Sequence, residues 1–346
     1  MNRTLKRALL LLPLLALVFA LPCFASYTDT AGHWGENAIN EWSEEGIVQG
    51  ANGLFRPDDP ITRAEMATVI TRLLKLTTPA ANTYLDLPAG AWYEQAVLCC
   101  VEAGIMQGDG GGIIRPGDNI TRQEAIVMLG RAWGISQSTS SDLSKFTDGA
   151  LTADWAKGYV KSFVDLGYIK GVGNDMLAPT GNINRASVVT ILSNAIASYV
   201  QTSGEFSMSP GNQGIVLVCA KDVTLTGAAG GMVLIAQGAG SSMLTVKGIA
   251  GNMNVKADSL IVDVQSGMVL TLNFLGKGNT LICRSGATVS SVNGDHTSYE
   301  GVSGDNDIPA DGSDTPTDPS VPNDGMSTPE IPVNPGLVDG SWSPIL

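Results

Sequence analysis

The sequence predicts an α-helical half made of three paired-helix units, followed by an all-β half. Two observations carry this reading. The tetrapeptide Thr62-Arg63-Ala64-Glu65 returns as Thr121-Arg122-Gln123-Glu124 and, altered, as Asn184-Arg185-Ala186-Ser187. Beyond Gln201 the helical spacing of apolar residues stops, and short β-prone runs take over, separated by Gly, Asn or Asp.

The first helix of each unit is read from its apolar spacing. Trp34, Ala38, Ile39 and Trp42 have counterparts in Trp92, Ala96, Val97, Cys100 and in Trp155, Tyr159, Val160, Phe163. Each tryptophan is followed twelve residues later by a glycine, at Gly46, Gly104 and Gly167. A glycine there suits the left-handed residue that ends a helix. An aromatic-x-Asp element opens each copy: Tyr27 with Asp29, Tyr84 with Asp86, Phe146 with Asp148.

The second helix starts at the repeated tetrapeptide. Thr62 and Thr121 can cap it, with Glu65 and Glu124 reaching back to the cap. Asn184 can cap the third copy, but Ser187 cannot complete the box. A helix pair alone exposes too much apolar surface, so the three pairs are expected to share one core.

Capping mechanics explain Thr and Glu but not the arginine. Arg63, Arg122 and Arg185 open their helices, where the dipole disfavours a cation by a few tenths to about 1 kcal/mol. Amides at a helix start and a guanidinium fork together suit a carboxylate or phosphate. Spacing alone leaves open a second role, a bridge to an acid such as Asp58 or Asp118.

These elements, with the loops Phe55-Arg56-Pro57, Ile114-Arg115-Pro116 and Leu177-Ala178-Pro179, resemble a tandem of S-layer homology domains over residues 27–200. The resemblance implies a pseudo-threefold helical trimer that binds an anionic secondary cell-wall polysaccharide, often through a pyruvate ketal. It nominates Arg63, Arg122 and Arg185 for the anion, and Trp34, Trp92, Trp155, Asp29, Asp86 and Asp148 for sugar contact. The apolar stripes instead assign the tryptophans to the core. Because Ser187 loosens the third box, the groove using Arg185 is expected to be weakest, with Arg63 and Arg122 ahead of it.

The β half, 204–304, admits a sandwich or a short parallel β-solenoid. Even spacing, glycine turns and few aromatics favour the solenoid. Asp222, Asp258, Asp263, Lys221, Lys256 and Arg284 show no pairing that would serve catalysis, so an enzyme is not expected. The glycine-rich stretches at 108–112 and 227–231 lack the Gly-Lys-Ser/Thr ending of a phosphate loop.

The full organisation expected is a signal peptide (1–25), repeats at 27–76, 84–135 and 146–200, the β domain, and a disordered Pro/Asp/Ser-rich tail (305–346). The signal has Arg3, Lys6 and Arg7 before an apolar run too short for a membrane span. Pro22 before Cys23 argues against a lipoprotein. Without the signal, 17 basic face 33 acidic residues, which disfavours nucleic acid as partner. No metal-ligand spacing appears and no cofactor is expected. A disulfide framework is not expected either, although a Cys219–Cys283 bridge stays open.

The leading expectation is a secreted, wall-bound surface protein displaying its β domain. The alternatives are an S-layer lattice subunit and, less favoured, a wall-anchored enzyme acting on polysaccharide.

Overall fold

The computed structural model describes residues 27–302; the expected signal peptide and tail lie outside the described residues. The helical half contains α1 (Glu36–Glu44), α2 (Arg63–Leu74), α3 (Glu94–Glu102), α4 (Arg122–Trp133), α5 (Asp154–Asp165) and α6 (Arg185–Ala195). Both capping boxes form, with Thr62 accepting from the Glu65 amide and Thr121 from the Glu124 amide. Asn184 Oδ1 accepts from the Ser187 amide at 2.8 Å and caps α6 alone. Gly46, Gly104 and Gly167 take φ of 72°, 68° and 76°, as expected at a helix end.

Helices pack across repeats. α2 lies on α3, α4 on α5, and α6 returns to α1. At the last of these contacts Trp42 Nε1 donates to Ser193 Oγ at 2.8 Å. One backbone feature closes the arrangement. The Ile120 amide donates to the Ile61 carbonyl, Ile183 to Ile120, and Ile61 to Ile183, at 3.0, 3.0 and 3.1 Å. The three repeats form a ring with pseudo-threefold symmetry.

The β half is a parallel β-solenoid, as the even spacing suggested. Its strands are β1 (Ile196–Val200), β2 (Gly204–Met208), β3 (Ile215–Val218), β4 (Val223–Ala228), β5 (Val233–Ile235), β6 (Met243–Val255), β7 (Ile261–Val264), β8 (Met268–Phe274), β9 (Asn279–Arg284), β10 (Thr288–Asn293) and β11 (His296–Val302). They stack in two columns of parallel pairs. One runs β1, β3, β5, the end of β6, β8, β10; the other runs β2, β4, the start of β6, β7, β9, β11.

The solenoid begins earlier than expected. Residues 196–200, assigned to the third repeat, leave α6 and form β1 directly. Ile196 has the helical spacing of an apolar α6 residue, but pairing with Ile215 in β3 takes it into the sheet. β2 and β11 add strands at the two ends of the second column. Gly204, Glu205 and Ser207 make β2 too polar to stand out, and its partner strand supplies the order.

β3 shows how the two halves join. Val216 and Val218 face the solenoid interior, while Ile215 and Leu217 join the helical core. Alternation in an ordinary strand would leave one face wet; here both faces are buried. Tyr199 Oη and Cys219 Sγ donate to the Leu73 carbonyl at 3.0 and 3.1 Å, at the end of α2. At the end of α4, Asn254 Nδ2 donates to the Gly134 carbonyl and Lys256 Nζ to the Arg131 carbonyl at 3.0 and 2.7 Å.

All four cysteines of the described residues are free, so Cys219 and Cys283 do not bridge. Cys99 is buried along with Cys100. Burial pushes the thiols of Cys100 and Cys219 up to about 12, which leaves neither a nucleophile near neutral pH.

Candidate polysaccharide-binding grooves

The sites are built where one repeat meets the next. The first amides of each second helix are not free for a ligand, contrary to the sequence reading. The amides of Arg63 and Ala64 donate to the carbonyls of Asp118 and Pro116. Those of Arg122 and Gln123 donate to Gly181 and Pro179, and those of Arg185 and Ala186 to Asp59 and Pro57. The N3 amide goes to the cap. Closure of the ring places a loop of the following repeat over every helix start, which no single repeat reveals.

The guanidinium groups follow the same path. Arg63 Nε and Nη2 donate to the carbonyls of Ile114 and Gln107 at 3.1 and 3.0 Å, and Nη1 meets Glu124 at 3.4 Å. Arg185 repeats this in the first repeat, on Phe55 and Gln49 at 2.9 and 2.8 Å, with Glu65 at 3.4 Å. Its guanidinium also lies over the Phe55 ring. Hydrogen bonds from a charged donor contribute roughly 1.5–3 kcal/mol each. Two of them outweigh a dipole penalty of at most about 1 kcal/mol. Bridging is therefore a real role for Arg63 and Arg185, but to carbonyls and glutamates rather than to Asp58 or Asp118.

Arg122 differs. Among the described residues its side chain has no hydrogen bond or ion pair, and its Nε is buried without a partner. The residue is only 7% exposed. The place held by Glu65 and Glu124 in the other two repeats is occupied by Ser187 in the third. Burial alone pushes the Arg122 pKa down, with no carboxylate opposing it, whereas Glu124 and Glu65 partly offset burial at Arg63 and Arg185.

Three grooves result, and each draws on all three repeats. The first is walled by repeat 1 around Gln49, Glu65 and Arg72, with Arg185 from repeat 3 and Trp92 from repeat 2. The second is walled by repeat 2 around Gln107, Glu124 and Arg131, with Arg63 and Trp155. The third is walled by repeat 3 around Lys170, Ser187 and Asn194, with Arg122 and Trp34. Their cavity volumes are about 260, 340 and 520 Å³.

The S-layer homology domain family matches residues 26–67, 83–126 and 145–189, one match for each arginine. The chain carries three S-layer homology domains. Among curated relatives, the surface-layer 125 kDa protein of Lysinibacillus sphaericus is 34% identical over 167 residues, 47% of this chain and 14% of that protein. An amylopullulanase of Thermoanaerobacterium thermosulfurigenes is 31% identical over 172 residues, 48% of this chain and 9% of the relative. A cellulosome-anchoring protein of Acetivibrio thermocellus is 29% identical over 153 residues, 42% of this chain and 34% of the relative. The chain thus spans at most 34% of the length of these relatives.

Several residues change role once the S-layer homology domains are assembled. Trp34, Trp92 and Trp155 are 62%, 69% and 53% exposed and line grooves, so the core assignment from the apolar stripe is corrected. Trp34 and Trp92 precede α1 and α3, and Trp155 is the second residue of α5, so none sits on the buried stripe. Ile39, Trp42, Val97, Cys100, Val160 and Phe163 fill the core instead.

The aspartates serve the domain scaffold. Asp29 accepts from the amides of Phe55 and Arg56, Asp86 from Ile114 and Arg115, and Asp148 from Leu177 and Ala178, at 2.7–2.9 Å. Arg56, Arg115 and Ala178 have φ of 59°, 52° and 53°, a region non-glycine residues rarely enter. Each carboxylate pins its loop there, and none of the three lines a groove. Burial pushes the Asp29 pKa up, but the amides of Phe55, Arg56 and Asp29 itself, with the Arg56 charge, together hold it below the ordinary carboxylate range.

The position of Ser187 departs from expectation. Ser187 shares a groove with Arg122, not with Arg185, so its effect falls on a different site from the one expected. Gly50 and Gly108, four residues after the helix-ending Gly46 and Gly104, prove tightly placed. A Cβ on Gly50 would collide with the Leu54 carbonyl, and one on Gly108 with that of Ile113.

In the solenoid, Asp263 and Arg284 form a bidentate pair at 2.8 and 3.0 Å, although the sequence offered no pairing. They lie 21 residues apart, and adjacent rungs bring them together. Asp263 is fully buried, which suits a structural clamp. No cluster of three metal-binding side chains occurs, and no helix is long and apolar enough to cross a membrane, among the described residues.

Proposed function

We propose that this chain is a secreted bacterial surface protein held non-covalently on the cell wall, with its S-layer homology domains gripping an anionic secondary wall polysaccharide. The observation that supports this best is the groove itself: a buried arginine, an exposed tryptophan and a wall of polar side chains, contributed by three repeats. Exposed tryptophan faces suit a sugar ring, and a guanidinium fork suits its acidic substituent. A pyruvate ketal on an amino sugar is the substituent this reading favours.

The relatives support attachment as the shared role. One is a surface-layer protein, one an amylopullulanase and one a cellulosome-anchoring protein, so they share this region while differing in the rest. The β-solenoid is then the displayed part, and it contributes no catalytic step in this reading. Its buried Asp263–Arg284 pair and high-pKa thiols favour a structural rather than a chemical task.

Co-sedimentation with purified wall tests the reading. The chain is expected to pellet with untreated wall and to stay in solution after chemical removal of the wall's acidic groups. Equal pelleting with both preparations would overturn it. Release of sugar from the wall by the purified chain would overturn the non-catalytic part.

A further inference from the structure

We infer that the three grooves are unequal, and that the groove around Arg122 is the one built to receive the carboxylate of an acidic sugar. The inference rests on the anchoring reading above and goes beyond it in assigning the anion to one groove. Arg63 and Arg185 enter the other two grooves already partnered, each on two carbonyls and a glutamate. Arg122 enters the third with a buried Nε that no protein atom satisfies. A buried charged group without a partner is costly, and the guanidinium that carries this Nε lines the groove uncommitted to any protein carbonyl or carboxylate.

Three positions in the groove lining change in the third repeat, two of them in favour of an anion. Glu65 and Glu124 become Ser187, which removes the carboxylate an incoming anion would face. Gln49 and Gln107 become Lys170, which is exposed and adds a cation to the lining. Arg72 and Arg131 become Asn194, which removes a cation but ties its amide to the Tyr168 carbonyl at 3.3 Å. The third groove is left lined by Arg122 and Lys170 with no acidic residue. The first contains Glu65 and the second contains Asp109 and Glu124.

An anion entering either of those grooves must sit beside a fixed negative charge of low exposure, where repulsion is poorly screened. In the third groove it meets only positive charge. Trp34 lines the same cavity, the largest of the three, and offers a sugar-facing surface beside the arginine.

Reciprocal swaps test this without removing an arginine that holds the ring together. Calorimetry would use the full chain and a methyl glycoside of a pyruvate-ketal amino sugar, with the ketal-free glycoside as control and a sugar phosphate as second anion. Wild type is expected to bind the ketal glycoside with a stoichiometry near one. Ser187→Glu should weaken it at least tenfold, and Glu65→Ser should bring a second site into range. A stoichiometry of three, or wild-type binding by Ser187→Glu, would overturn the inference while leaving wall anchoring intact. Tighter binding of the sugar phosphate would overturn the carboxylate assignment. Failure of every chain to bind both the glycoside and the wall would overturn the anchoring reading as well.

Discussion

Arg185 Nη1 lies 3.4 Å from Glu65 Oε1, and these two residues, 120 positions apart, join the last repeat to the first. The same arginine holds the carbonyls of Phe55 and Gln49. Arg185 thus ties the ring together, whereas Arg122, which lines the third groove, holds no protein partner among the described residues.

Replacing these arginines separates the two roles. Arg63→Ala and Arg185→Ala each leave two carbonyls without their guanidinium donor and remove one ion pair, and should cost about 2–4 kcal/mol of stability. Arg122→Ala removes no protein partner and should cost less than about 1 kcal/mol. Urea denaturation of the three variants gives the order directly, and Arg122→Ala should be the mildest for stability while severe for binding.

The tryptophans should behave in the opposite way from core residues. Trp34→Ala should change stability by no more than about 0.5 kcal/mol, as expected for an exposed side chain. It should weaken pelleting with wall severalfold. Trp42→Ala, at a fully buried site, should cost about 3–5 kcal/mol.

Asp86→Ala should be structural in its effect. It frees the amides of Ile114 and Arg115 and releases a left-handed residue, at a cost of roughly 2–3 kcal/mol. Binding to wall, measured well below the variant's melting temperature, should stay near wild type. A loss of binding with unchanged stability would return Asp86 to the list of sugar contacts.

Lys256 gives the stability a basic-pH signature. Burial pushes its pKa from an ordinary 10.5 down to about 8. The folded chain then holds fewer protons than the unfolded chain between these values, so stability rises as pH increases from 8 to 10.5. Below pH 8 the cost of the buried charge is fully present. The rise should be on the order of 2 kcal/mol, allowing for the partial solvent contact of the side chain. Lys256→Met should flatten that part of a pH–stability curve measured by urea denaturation.

Much of this fold was legible because it is local. Helix stripes, the Thr62 and Thr121 caps and the left-handed glycines all act within a few residues, and the solenoid shows in the even spacing of its runs. The grooves were less legible because every one is assembled across repeats. The partner of Arg63 is in repeat 2, and that of Arg185 in repeat 1, so a reading confined to each tetrapeptide misplaced the influence of Ser187. Trp34 and Trp92 kept the helical period while preceding their helices, and periodicity does not mark that boundary. Asp263 and Arg284 meet only once the rung length is fixed by folding.

The ring through Ile61, Ile120 and Ile183 sets a rule for how such a module can be inherited. A chain with two repeats would own no whole groove, since each needs an arginine, a wall and a tryptophan from different copies. A fourth repeat would have no gap to enter. Gain or loss of whole grooves must therefore proceed in complete sets of three, or by change at single positions within a set.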